Sequence, residues 1–342
     1  MKAVVVERPG VVTLVERPRP ELTARDDVLV RVAAVGICGS DVHIYDGTNA
    51  AATYPRVMGH EVVGVVEAVG PGVRTVTPGD RITLNQVISC GECYPCRLGR
   101  PNVCYELRVR GVHIDGGQQE FLAVREEDCH RLPEQLSELD GVMVEPVTIA
   151  LQGCARAELS ADDPLLLIGH GALGSSLLKV ARLRTPRIIV ADIVRARLDE
   201  AERAGATHTI DLTEHDLDSA CRELTDGHGV TVSIDAACTQ DSLLQALRAT
   251  GNAGRVVTMG FAVAPSEVNQ FLITSKELDV RGSRLQNGRF PEALRLVEDG
   301  EVSLTGAVSH SFPLTEAQAA LDLILSGDRS VRKVALTFAD LG

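Results

Sequence analysis

A chain of 342 residues is too long for one ordinary hydrophobic core, so two domains are expected. Its 44% hydrophobic and 24% charged residues are the proportions of a soluble globular protein. A net charge of −13, with a pI near 5.2, argues against nucleic acid or an anionic membrane surface as the main partner, because both select a basic face. No apolar run approaches the ~20 residues of a membrane span, and the start, Met1 to Glu7, has no signal-peptide core. A cytoplasmic protein is expected, its nine cysteines serving as metal ligands or free thiols and not as disulfides.

Residues 1–35 alternate short β-rich runs with proline and charge clusters, which predicts strands over 3–6, 11–15 and 28–34. The stretch Gly36 to Glu61 then brings Cys38, His60 and Glu61 onto two short segments joined by a loop. Thiolate, neutral imidazole and carboxylate are zinc's preferred ligands, and a catalytic zinc uses about three of them and leaves a position open. A buried cysteine and a core histidine that never meet are the bland alternative. Ser40 and His43 are spaced to pass a hydroxyl proton outward. Asp41 is placed to orient a ligand imidazole, although Ser40 and Asp41 are equally good helix N-caps. After Glu61, the β-branched run over 62–70 has glycines at its bends, as in a curved strand of a small barrel.

Cys90, Cys93, Cys96 and Cys104 form C-x2-C-x2-C-x7-C. Four thiolates on a short Gly- and Pro-containing lobe suit a closed tetrahedral zinc that holds the lobe's own fold. An iron–sulfur site has a tighter fourth spacing, followed by proline. Beyond a strand at 120–124, Glu145 is an acid in an apolar run just before Pro146. A buried acid needs a partner, and the choice lies between a metal and a helix N-terminus.

At Pro164 the texture changes. The apolar run Leu165 to Ile168 leads directly into Gly169-His170-Gly171-Ala172-Leu173-Gly174, a helical pattern to Leu183, and a second apolar strand from Ile188 ending in Asp192. This is G-x-G-x-x-G between strand and helix with an acid 18 residues beyond its last glycine. Such glycines let backbone N–H groups approach a pyrophosphate at a helix N-terminus. Asp192 would accept the adenosine ribose hydroxyls and repel a 2′-phosphate, which favours NAD. Strand and helix patterns alternate on through 196–204, 230–236, 241–249, 255–259 and 279–282. Two helices (291–300, 315–327) and a strand (331–338) close the chain.

Together these motifs resemble the zinc-dependent medium-chain alcohol dehydrogenases over the whole chain. The resemblance rests on G-H-E-x2-G-x5-G at 59–70, the four-cysteine lobe, the glycine motif and Cys38-Gly39-Ser40-Asp41. It implies an α/β fold in which a Rossmann doubly wound parallel sheet (150–283) is inserted in a GroES-like β-barrel catalytic domain (1–149 and 284–342). A zinc lobe is expected at about 88–106. It implies one catalytic and one structural zinc, NAD, and a homodimer or homotetramer. The polyol and threonine dehydrogenase branch is the nearer likeness, on Glu61 and Glu145-Pro146. There the metal contacts would be Cys38, His60 and one or both acids. Ser40 and His43 match the proton relay, and Arg197 matches a cofactor ribose contact beside Gly169, Gly171, Ala172, Leu173, Gly174 and Asp192. A narrower likeness, at Ile234 to Cys238, Met259 to Phe261, Pro265 to Val268 and Ser283 to Leu285, is to the starvation-sensing and L-galactonate/L-gulonate 5-dehydrogenase group. It implies oxidation of a secondary alcohol of a sugar acid or polyol, with Arg284 reading the acid end and the loop at His113 shaping the pocket. Threonine-type or cyclitol dehydrogenation is the alternative within the enzyme class. A catalytically silent NAD-sensing regulator is the alternative outside it.

Overall fold

The computed structural model describes residues 1–261 and 265–338. The β-rich beginning of the chain builds an antiparallel unit around one long strand, Asp27–Ile37. Every residue along it except Asp27, Arg31 and Ala33 is buried, so most of the strand is covered on both faces. One edge pairs with Glu61–Val69, which continues to Arg81–Leu84 and Cys129–Arg131. The other edge is shared, with Phe121–Arg125 along its first half and Val334–Thr337 along its last. His310–Pro313 lies parallel to Val334–Thr337 at the end of the sheet. A smaller sheet joins Lys2–Arg8 to Val11–Glu16 and Arg56–Val57.

The second unit is a six-stranded parallel sheet. Its order is His208–Asp211, Ile188–Asp192, Leu165–Ile168, Val230–Asp235, Thr250–Thr258, Asp279–Gly282, the 3-2-1-4-5-6 order of a dinucleotide-binding fold. The adjacent strands Leu165–Ile168 and Ile188–Asp192 are buried along their whole length because both faces are covered. Leu166, Ile168, Ile189, Val256 and Leu247 meet in one core cluster.

The two compact units divide after Glu145 and again between Arg289 and Phe290. The expected divisions were at 149/150 and 283/284. The first falls inside the helix Val144–Ala157, whose start the sequence left open at Glu145 as a choice between a metal and a helix N-terminus. A proline in the first helical turn removes only an N–H that has no intrahelical partner. Residues 339–342 of the expected catalytic segment lie outside the described residues. The sequence reading lacks the strands His208–Asp211 and His310–Pro313. Both lie at sheet edges and carry polar residues or proline there, which erases the apolar signature. Thr250–Thr258 begins five residues before the expected start at Arg255, across a Gly-Asn-Ala-Gly stretch of low strand propensity. Among the described residues no helix is long and apolar enough to cross a membrane.

Candidate active site

Strand register assembles the first site. In the antiparallel pairing of Asp27–Ile37 with Glu61–Val69, Gly36 lies opposite Glu61. That puts the Cys38 and His60-Glu61 segments at one end of the sheet. The Cys38 thiol, a His60 ring nitrogen and a Glu61 carboxylate oxygen lie within 4.8 Å of one another. Gly36 is required there, since a Cβ would fall 1.9 Å from Glu61 Oε2.

Asp41 ties the two segments together. It sits in the first turn of the helix Gly39–Tyr45, which Cys38 caps, and it is fully buried. One carboxylate oxygen accepts the Cys38 N–H at 2.8 Å, and the other accepts the Gly59 N–H at 3.2 Å and stands 3.7 Å from His60 Nδ1. A carboxylate behind a ligand imidazole fixes its ring and raises its basicity. Burial disfavours a charged His60, but Asp41 and Cys38 outweigh it and hold the imidazole pKa well above its usual value. A bound cation would take the place of that proton, so metal binding here releases one.

The second acid, Glu145, is buried at the start of the helix Val144–Ala157. Gln86 donates its side-chain N–H to Glu145 Oε1. Burial, with repulsion from Glu61 and against the attraction of His60 and Lys333, pushes its carboxyl up to about 7. Glu145 is not in the trio grouped by ligand-atom distance. The sequence reading missed Lys333, whose Nζ donates to Glu61 Oε1 at 2.6 Å and Oε2 at 2.7 Å. A lysine within the strand expected over 331–338 reads as one that faces solvent. Only the register of that strand, Val334 opposite Ile37, shows it to be buried.

Ser40 and His43 lie three apart on the same short helix. His43 is exposed, with Nδ1 2.8 Å from Thr48 Oγ1, a neighbour that sequence reasoning did not name. His113 is partly buried, and its Nδ1 accepts the Val109 N–H at 3.0 Å. Arg284 belongs to the parallel-sheet unit, with its guanidinium carbon 5.5 Å from the centre of the Phe261 ring.

The four lobe cysteines also meet. Cys93 Sγ is 3.4 Å from Cys96 Sγ and 3.6 Å from Cys104 Sγ, and Cys104 Sγ is 3.4 Å from Cys90 Sγ. These are separations of thiols around a common centre, not of disulfides. The N–H groups of Cys90 and Glu106 point at Cys104 Sγ, both at 3.3 Å, as they do at a thiolate.

In the parallel-sheet unit each motif glycine has a separate reason. Gly169 has φ +88°, and a Cβ there would meet the Ala237 backbone at 2.8 Å. A Cβ on Gly174 would lie 2.0 Å from the Gly169 carbonyl, which is the close approach of helix to turn. Gly171 caps the helix Ala172–Ala181 and faces open space, which leaves its backbone accessible to an anion. Buried Asp192 accepts the N–H groups of His170 at 2.7 Å and Val194 at 2.9 Å, so it shapes the turn as well as offering its remaining lone pairs. Arg197 Nη1 lies 3.9 Å from it.

The donor sets fit zinc at both places: thiolate, imidazole and carboxylate gathered within reach of one ion, and a closed group of four thiolates. Residues 24–134 match the alcohol dehydrogenase GroES-like domain, and residues 172–299 match the zinc-binding dehydrogenase domain. The starvation-sensing protein RspB of Escherichia coli K12 is 38% identical over 99% of this chain and 100% of its own length. L-idonate 5-dehydrogenase of Vitis vinifera is 32% identical over 85% of this chain and 82% of its own. The crystal structure of RspB from E. coli CFT073, in complex with NADH, superposes with a TM-score of 0.93 at 38% identity over 99% of both chains. The fold and the two sites define a zinc- and dinucleotide-dependent oxidoreductase. The chain belongs to the zinc-dependent medium-chain alcohol dehydrogenases, whose activity is NAD-dependent oxidation of an alcohol.

Proposed function

We propose that this enzyme oxidises a secondary alcohol of a sugar acid, of the L-gulonate or L-galactonate type, or of a polyol. The observation that carries the reading is the Cys38–His60–Glu61 trio, buried at His60 and Glu61, with buried Glu145 beside it, a site with two acids in place of a second thiolate. The sugar-acid activity in the name of the Vitis vinifera relative supports the substrate class.

Zinc held by Cys38, His60 and Glu61 would lower the pKa of the substrate hydroxyl, and NAD at the Gly169–Gly174 turn would take the hydride. Asp41 keeps Cys38 and His60 at their spacing. Ser40 Oγ receives the hydroxyl proton, and His43, exposed on the next turn of the same helix, delivers it to solvent. Asp192 and Arg197 hold the adenosine ribose. Arg284 pairs with the substrate carboxylate, for which a guanidinium fork is well shaped, and the loop at His113 borders the sugar. The same reading takes the enzyme to be a cytoplasmic homodimer or homotetramer, which light scattering checks for assembly.

A panel of aldonates, polyols, L-threonine and inositol, followed by NADH absorbance, tests the substrate class. Turnover of aldonates or polyols above the others is expected. Turnover of threonine or inositol alone moves the assignment to the other enzymes of the branch. No turnover from zinc-replete protein leaves an NAD-sensing regulator.

A further inference from the structure

Lys333 sits where three strand ends converge. The pairing of Val334 with Ile37 sets Lys333 opposite Cys38, on the other side of the central strand from Glu61. Its ammonium has three acceptors: Glu61 Oε1 at 2.6 Å, Glu61 Oε2 at 2.7 Å and the Ile37 carbonyl at 3.3 Å. Lysine and glutamate are both buried, at 4% and 1% side-chain exposure. Two buried charges are costly to desolvate, and an apolar pair of similar volume would fill the space as well. The pair is also placed where a structural salt bridge has no need to be, because the same carboxylate lies within the Cys38–His60–Glu61 group.

We propose that Lys333 shares the Glu61 carboxylate with the catalytic cation and thereby weakens the hold of the site on that cation. The inference rests on the zinc reading of the trio. A carboxylate has about four lone-pair positions, so it can accept from an ammonium and still ligate a metal. Its donor strength is then divided, and a fixed positive charge a few ångströms from the metal opposes the metal's own charge. Thiolate and carboxylate alone would cancel a divalent ion. Asp41, behind His60, adds a further negative charge, and Lys333 offsets it, so that the ion is not left in an excess of anions. Lys333 is a positioning residue that acts through the Glu61 carboxylate.

The test is metal retention, not turnover. Holoenzyme of the wild type, Lys333→Met, Lys333→Gln and Lys333→Arg is dialysed against rising dipicolinate, and zinc per chain is measured. The same variants are exchanged with cobalt for visible spectra. The wild type is expected to hold two zincs, one of them labile. Lys333→Met is expected to hold the labile zinc about tenfold more tightly, with shifted cobalt bands. Lys333→Arg keeps the charge and should restore wild-type retention and spectrum. Lys333→Gln keeps an N–H donor without charge and should behave like Lys333→Met, which preserves the test if the methionine variant does not fold. Unchanged or weaker retention in both neutral variants overturns the proposal while leaving the zinc reading intact. A wild type that binds a single zinc, with no labile ion, overturns both.

Discussion

The four-cysteine lobe and the Cys38–His60–Glu61 trio are both metal sites by donor chemistry, yet they are built in opposite ways. The lobe draws all its ligands from a 15-residue stretch, and the cysteines partner one another and nearby backbone N–H groups. It is closed, and only Cys104 is fully buried. The trio draws on segments brought together by strand pairing, is buried at His60 and Glu61, and is surrounded by charged side chains that are not in the trio: Asp41, Glu145 and Lys333. A site that only folds a loop needs ligands and nothing more. A site that must bind, polarise and release a substrate needs its charge adjusted from outside the ligand set.

That contrast is broken most directly at a ligand. Cys38→Ala should remove the trio's ion and keep the lobe's, lowering turnover on the order of 10³-fold, the equivalent of several kcal/mol of lost Lewis-acid stabilisation. Zinc per chain should fall from two to one, and a variant that keeps both ions and its turnover refutes the assignment of the site. One step outward, Asp41→Asn leaves every ligand in place but weakens the orientation of His60 and the tie between the Cys38 and Gly59 segments. The labile zinc should then be lost at roughly 10- to 100-fold lower chelator concentration. Equal retention in wild type and variant would make Asp41 a helix cap and no more. At the lobe, Cys96→Ser should release the other zinc and open residues 90–104 to protease. Turnover should drop only a few-fold, because the lobe supplies no catalytic group. Loss of activity as deep as that of Cys38→Ala would erase the distinction between the two sites.

The same contrast explains what could be read from the residues alone. The lobe was legible because its ligands are close in sequence, and the glycine turn because Gly169, Gly171 and Gly174 each answer a local backbone demand. The strands Leu165–Ile168 and Ile188–Asp192 were legible because burial on both faces leaves apolar runs, the second ending in Asp192. Cys38, His60 and Glu61 were legible as residue types, and the resemblance to a family supplied their meeting. What stayed hidden depends on register. Lys333 is a lysine beside a strand until its neighbour is known, and Gln86 is one more polar residue until it is found against Glu145. His170, between the first two glycines, is buried with neither ring nitrogen partnered, and nothing in the motif marks it as different from alanine.

The smallest effect concerns how the lobe is rooted. The strands at its base, Val87–Ile88 and Arg108–Val109, pair with each other, and Arg110 just beyond them forms a buried ion pair with Asp128 at 3.5 Å. Asp128 also accepts the Asn85 N–H through its backbone carbonyl, and Arg110 N–H bonds to the Gln86 carbonyl. Burial raises the Asp128 carboxyl to about 6, with Arg110 opposing the rise and Glu127 adding to it. A carboxyl raised above its unfolded value of about 3.9 holds its proton longer in the folded state. Its contribution to stability is therefore full below that value and is lost as pH rises through about 6. Asp128→Asn has no such proton to lose. Hydrogen-exchange protection of the Asn85 and Arg110 amides, compared between wild type and variant at each pH, cancels the intrinsic pH dependence of exchange. The wild-type advantage should shrink by about 1 kcal/mol, roughly tenfold in protection, between pH 5 and 7.5, with turnover unchanged. A ratio that stays flat across that range would mean that the lobe's base is held by its paired strands, and that the buried ion pair adds no pH sensitivity to it.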